Sequence, residues 1–141
     1  MKDLKTYVMP RPFSGYNIPI SIQTVYLKDY ANKKKFKFSL PVTEITNTNN
    51  FYMLSKLLNE KNLNNLAMTS IFLLPLNDDS ILNKIFSSHT QKNIYLHFPL
   101  EGKILSIVEF LDYYKEINSI TNLSSDYESL KKIEYGKKIF F

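Results

Sequence analysis

The chain has 141 residues, 44% of them hydrophobic and 22% charged, with ten Tyr, ten Phe and no Cys. That length fits one domain with a real core, and the missing thiols exclude a disulfide framework and any Cys-based zinc site. No run approaches the roughly 18 apolar residues of a membrane span, and Met1-Lys2-Asp3-Leu4-Lys5 leads into a strand-like segment without a signal-peptide core, so a cytoplasmic protein with no membrane partner is expected.

The formal net charge is +5, but Lys supplies every basic residue except Arg11. Abundant Lys, Asn and Ile together mark a compositional bias that fills solvated positions with Lys, so nucleic acid is not an expected partner. The one dense cluster, Lys33-Lys34-Lys35, reads as a helix end, where cations suit the macrodipole. Arg11 stands out against this background. A lone Arg suits a place that needs a planar, two-pronged donor for a carboxylate or phosphate, whether a ligand's or a neighbouring side chain's.

Strand and helix candidates alternate along the chain, the pattern of a parallel sheet. The first strand spans 6–9 and is closed by Pro10-Arg11-Pro12. After a loop containing Gly15, a helix over 21–33 carries Ile22, Val25, Tyr26 and Tyr30 as an apolar stripe. The second strand, 36–42, alternates Phe36, Phe38 and Leu40 with polar residues. Pro41 cannot donate to a central ladder, so this strand belongs at an edge. The Thr- and Asn-rich loop 46–50 precedes a second helix, with Phe51, Leu54, Leu57 and Leu58 at core spacing and one of the Asn residues as its cap.

The third strand, 66–74, is the most continuously apolar segment, as a central strand should be, and Pro75 stops it. A third helix over 79–88 starts at Asp78 or Asp79 and turns Ile81, Leu82, Ile85 and Phe86 inward, with His89 beyond it at the surface. The fourth strand is 93–98. Ser106-Ile107-Val108-Glu109 has the spacing of a capping box and opens a helix over about 107–117. A second box, Ser125-Asp126-Tyr127-Glu128, opens a short helix ended by Gly136, and Ile139-Phe140-Phe141 form an apolar tail.

Polar residues gather at the carboxyl ends of these strands. Arg11 follows the first and Glu44 the second; Thr69 and Ser70 lie late in the third; His97 closes the fourth, with Glu101 just after it. In an open parallel sheet those ends share one edge, where ligands bind. Each also has a structural reading: a core histidine bonded to a backbone carbonyl, carboxylates capping helices, a small residue in a buried strand. No standard catalytic motif is present. The three glycines form no phosphate loop, no Gly-x-Ser-x-Gly elbow exists, and two distant histidines do not make a zinc site. Neither a cofactor nor a metal is called for.

Several of these segments together resemble a known family. They are Arg11-Pro12-Phe13-Ser14-Gly15-Tyr16-Asn17-Ile18-Pro19, Gln23, Asp29-Tyr30, Thr43-Glu44, Met53-Leu54, Ser70-Ile71-Phe72-x-Leu74-Pro75 and Leu96-His97-Phe98-x-x-Glu101. This set is similar to the sporadic carbohydrate cluster protein family, small proteins encoded among surface-polysaccharide biosynthesis genes. The likeness covers about residues 6 to 102 and implies a pathway rather than a reaction. Pro10, Ile45 and Pro99 depart from the family pattern, and none of them is a candidate site residue.

The chain also resembles the serine-recombinase (resolvase) catalytic domain in strand order, in a Gln at the start of the first helix and in the leucines before the third strand. The recombinase chemistry does not carry over. Its Tyr-x-Arg-x-Ser, aligned on Tyr7, places Met9 at the arginine and Arg11 at the nucleophile. Its Leu-x-Arg-x-x-Arg becomes Leu74-x-Leu76-x-x-Asp79.

The expected fold is therefore a three-layer α/β domain with a four-stranded, mainly parallel sheet in order 2-1-3-4, flavodoxin- or resolvase-like. One domain spans 1–141, with a core over about 6–102 and a helical extension over about 103–141. The expected function is an enzyme of surface-carbohydrate biosynthesis working by acid–base chemistry on an acidic or phosphorylated sugar. Arg11, Ser70 and Gln23 would bind that small-molecule sugar, and His97, Glu101 and Glu44 would move protons. The alternative is a non-catalytic sugar-binding or scaffolding subunit of the same pathway. Convergence of these groups on one pocket favours the enzyme, and separate pairs favour the subunit. A homodimer or higher homo-oligomer is expected from the surplus of apolar helix positions and the apolar tail.

Overall fold

The first strand, β1 (Asp3–Val8), has side chains that alternate between two apolar clusters: Leu4 and Val8 enter one, Tyr7 the other. Burial on both faces makes it a central strand. It pairs in parallel with β6 (Asn65–Ala67) on one side. On its other side run two short pieces, β4 (Lys37–Phe38) and β5 (Val42–Thr43), both parallel to it. The expected second strand is thus broken at residues 39–41, where Pro41 has no N–H to give. The Thr6 hydroxyl spans the break by donating to the Ser39 carbonyl at 3.0 Å, and Leu40 is left 84% exposed. The computed structural model describes residues 1–10, 12–13, 16–44, 51–75 and 80–121. Arg11, Gly15, the loop 46–50, Asp78, Asp79, the second capping box and the apolar tail lie outside the described residues.

β6 pairs in parallel with β7 (Tyr95–Phe98). β7 then turns back through residues 99–102 into an antiparallel edge strand, β8 (Lys103–Ser106). Gly102 sits in that turn at φ +63°, the left-handed region that suits a residue without a Cβ. The parallel part follows the expected order 2-1-3-4, and β8 extends the sheet by one strand, so the extension expected to be helical from about residue 103 begins as a strand. A small antiparallel hairpin, β2 (Pro12–Phe13) with β3 (Tyr16–Asn17), follows β1. It lies beside a 3-10 turn, Ile71–Leu73, whose first and last residues are buried.

That 3-10 turn corrects the long third strand. The ladder ends at Ala67, and the apolar run continues because Ile71 and Leu73 of the turn after it are buried too, a distinction hydrophobicity alone does not make. Helices cover both faces. Of the described helices, α1 (Ile20–Lys33) alone packs on the face that carries Leu4, Val8 and Ala67. The other face is covered by α2 (Tyr52–Leu58), α3 (Ser80–Ser87) and α4 (107–121), through Leu54, Leu58, Leu82, Phe86, Phe110 and Tyr114. Phe110 stacks on Phe98 and on Tyr114 with ring centroids 5.7 and 5.6 Å apart, which anchors α4 to β7. α4 opens with the expected capping box: Glu109 N–H donates to Ser106 Oγ, and Ser106 N–H donates to Glu109 Oε1.

α1 is rotated from the expected orientation. Its buried stripe is Gln23, Leu27 and Ala31, whereas Ile22 and Val25 are exposed. The cause is Gln23, whose side-chain amide bonds to the backbone of Met9 and Ile18 and draws its own face of the helix inward. His89, expected at the surface, is buried in the turn after α3. Among the described residues no helix is long and apolar enough to cross a membrane.

Candidate functional site

At the carboxyl edge of the sheet the candidate residues are found in separate hydrogen-bonded groups. Gln23, fully buried, donates through Nε2 to the carbonyls of Met9 (2.8 Å) and Ile18 (2.9 Å) and accepts the Met9 N–H at Oε1. It fastens the backbone at Met9 to the backbone at Ile18. Glu44 directs both carboxylate oxygens at the Met53 N–H, 2.7 and 3.0 Å away, and so occupies an orphan donor of the first turn of α2. Ser70 caps the 3-10 turn by accepting from Phe72 N–H, and its hydroxyl donates to Glu101 Oε2 at 2.8 Å. Glu101 Oε1 accepts the Ile71 N–H at 2.6 Å. Burial pushes the Glu101 carboxyl up from its usual value, and these two hydrogen bonds oppose the shift.

His97 belongs to a fourth group, on the α1 face of the sheet. Its Nε2 lies 2.9 Å from Asn65 Oδ1 and its Nδ1 lies 2.7 Å from the Tyr30 hydroxyl. Asn65 Oδ1 can only accept, so Nε2 carries the proton; Nδ1 then presents a lone pair, and Tyr30 O–H donates to it. The ring is also held edge-on by Tyr30 and Phe36, with centroids 5.8 and 5.3 Å away. Burial, together with the nearby Lys34 ammonium, lowers the His97 pKa to about 4. At neutral pH this is an uncharged imidazole with both nitrogens occupied, which holds Tyr30 in place.

Tyr30 opens onto a cleft of about 300 Å³ between α1 and the β7–β8 turn. Tyr26, Tyr30, Lys33 and Lys34 form one wall; Pro99, Gly102 and Ile104 form the other, with Asp29 and Lys103 at the cleft as well. Three lysines against one aspartate make the lining basic. Asp29 pairs with Lys33 at 2.9 Å, and the Lys103 ammonium lies 5.7 Å from the centre of the Tyr113 ring. Lys34 has no carboxylate partner among the described residues. The cleft exists because α1 covers only part of its face of the sheet: Tyr95 and Ile104, on the β7–β8 side, are each about half exposed.

The cleft and the edge groups share the β7–β8 turn, since Glu101 faces Ser70 while Pro99 and Gly102 line the cleft. Among the described residues His97, Glu44 and Glu101 thus each bond to different partners, and Arg11 lies outside the described residues. Sequence reasoning missed Tyr30, Asn65 and Lys34 as site residues. Asp29-Tyr30 was visible as a motif beside the Lys cluster, but its partner His97 is 67 residues away. Among the described residues no His/Asp/Glu cluster is suited to a metal ion.

No family model and no curated protein sequence matches the chain. The crystal structure of the N-terminal catalytic domain of TP901-1 integrase does match, with a TM-score of 0.57 and 15% sequence identity, over 88% of this chain and 98% of that domain. At that identity the likeness concerns the fold alone: the chain is a mixed α/β domain whose mainly parallel sheet resembles that of a recombinase catalytic domain.

Proposed function

We propose that this protein is a non-catalytic binding subunit that holds an acidic or phosphorylated sugar in the cleft between α1 and the β7–β8 turn, within cytosolic biosynthesis of a surface carbohydrate. The observation that carries the reading is the Tyr30–His97 hydrogen bond on the cleft wall. Through it Asp29-Tyr30 and Leu96-His97-Phe98, two separate segments of the family resemblance, meet beside the Lys34 ammonium. The cleft volume suits a small ligand, the lysines suit an acidic group, and Tyr26 and Tyr30 offer apolar ring faces with polar tips. The carbohydrate part of the proposal is supported by the motif resemblance.

The acid–base alternative has less support, because His97, Glu44 and Glu101 have their polar atoms committed to partners. Recombination has less still, since Met9, Leu76 and Asp79 stand where that chemistry needs arginines. The proposal includes a homodimer or larger homo-oligomer, checked by light scattering against the 16.6 kDa chain mass.

Titration calorimetry with glucose 1-phosphate, glucuronate and a nucleotide sugar tests the reading. At least one ligand is expected to bind, and Lys34→Gln should weaken it roughly tenfold through loss of one charge-assisted hydrogen bond. Absence of binding by every ligand, or binding indifferent to Lys34→Gln, sinks the assignment to this cleft.

A further inference from the structure

The hydrogen-bond chain behind the cleft has a direction. Asn65 Oδ1 requires the proton on His97 Nε2. His97 Nδ1 is then an acceptor, and it takes the only proton of the Tyr30 hydroxyl. Tyr30 therefore has no proton left to offer a ligand. Its oxygen keeps acceptor capacity, and among the described residues nothing else donates to it. Desolvation raises the Tyr30 pKa above the usual phenol value, so the hydroxyl stays intact. Packing holds the arrangement: Asn65 is 8% and His97 2% exposed, and the imidazole is wedged between the edges of Tyr30 and Phe36.

A carboxylate or a fully ionised phosphate ester gains nothing from such an oxygen, since its own oxygens only accept. We infer that Tyr30 is the specificity-determining residue of the cleft, a fixed acceptor that selects anionic ligands carrying a free hydroxyl. Lys34 and the other lysines take the charge, and Tyr30 takes the proton of the hydroxyl. Asn65 and His97 act as positioning residues that set the direction of the Tyr30 bond. The inference rests on the anion-binding reading above and adds to it a requirement that a fully ionised alkyl phosphate does not meet.

The test compares glucose 1-phosphate with cyclohexyl phosphate, which keeps the ring size and the charge but has no ring hydroxyls, on the native protein and on Tyr30→Phe. Binding is measured at a mildly alkaline pH where both esters are fully ionised, with inorganic phosphate as a probe of the anion site alone. Tyr30→Phe is expected to weaken glucose 1-phosphate roughly three- to tenfold, the value of one hydrogen bond, and to leave cyclohexyl phosphate unchanged. Equal responses of the two esters to the substitution overturn the inference while the anion site stands. If none of the three probes binds, the cleft reading falls and this inference falls with it. Should Tyr30→Phe fail to fold, nitrogen-15 spectra of the native protein decide. A His97 proton on Nε2 upholds the acceptor role of Tyr30, and a proton on Nδ1 overturns it.

Discussion

The Glu101 carboxylate accepts the Ser70 hydroxyl at 2.8 Å, tying the β7–β8 turn to the chain just beyond the end of β6. The same carboxylate accepts from Ile71 N–H, so one side chain fixes both the start of the 3-10 turn and a wall of the cleft.

This carboxyl has an unusual consequence for stability against pH. Its folded pKa is raised, with burial as the largest cause. The folded state then holds the proton more tightly than the unfolded chain, so its contribution to stability falls as pH rises from the ordinary carboxyl value of 4.5 through the raised folded value. Glu101→Gln should flatten that limb. Melting temperatures of both proteins across mildly acidic pH check it, and parallel curves refute it.

His97 acts with the opposite sign. Its folded pKa of about 4 lies below the ordinary 6.5, so the unfolded chain binds the proton more readily. Its contribution is complete above pH 6.5 and is lost as pH falls to about 4. The full effect is at most about 3.5 kcal/mol, at ~1.4 kcal/mol per pKa unit. The native-minus-His97→Gln difference in melting temperature should shrink over that window. A difference independent of pH would show that His97 titrates normally.

Gln23→Leu removes three hydrogen bonds and leaves the Met9 amide and carbonyl and the Ile18 carbonyl without that partner. Stranded polar groups cost about 1–3 kcal/mol each when buried, so a total loss of roughly 3 kcal/mol is expected in urea denaturation. A loss under about 1 kcal/mol would mean that the loop refastens itself.

Lys35 sits at φ +61° just past the end of α1. Phe36 N–H bonds back to Ala31 C=O and Lys35 N–H to Asn32 C=O, a Schellman closure whose left-handed position favours glycine. Lys35→Gly should therefore stabilise the protein by about 0.5–1 kcal/mol, the relief of left-handed strain exceeding the added chain entropy. Chemical denaturation measures this, and a destabilised variant would count against the closure.

Local signals were legible in the sequence because they involve neighbours. The capping box at Ser106 and Glu109 joins residues three apart, and the core positions of α2 and α3 repeat at helical spacing. Together with the alternation of strands and helices they determined the fold class and the parallel order, and they picked out Ser70, His97 and Glu101 as polar residues at strand ends. Tertiary structure alone decided what those residues do. α1 carries two apolar stripes, and the Gln23 bonds to a loop outside the helix choose which one is buried. β8 becomes a strand because β7 offers an unpaired edge, and the segment 66–74 divides because Glu101 reaches Ile71 from the next turn of chain. The direction of the Asn65–His97–Tyr30 chain depends on three residues from three elements. A sequence states which donors and acceptors exist, but which acceptor takes each proton is settled only when folding brings distant groups within hydrogen-bond distance.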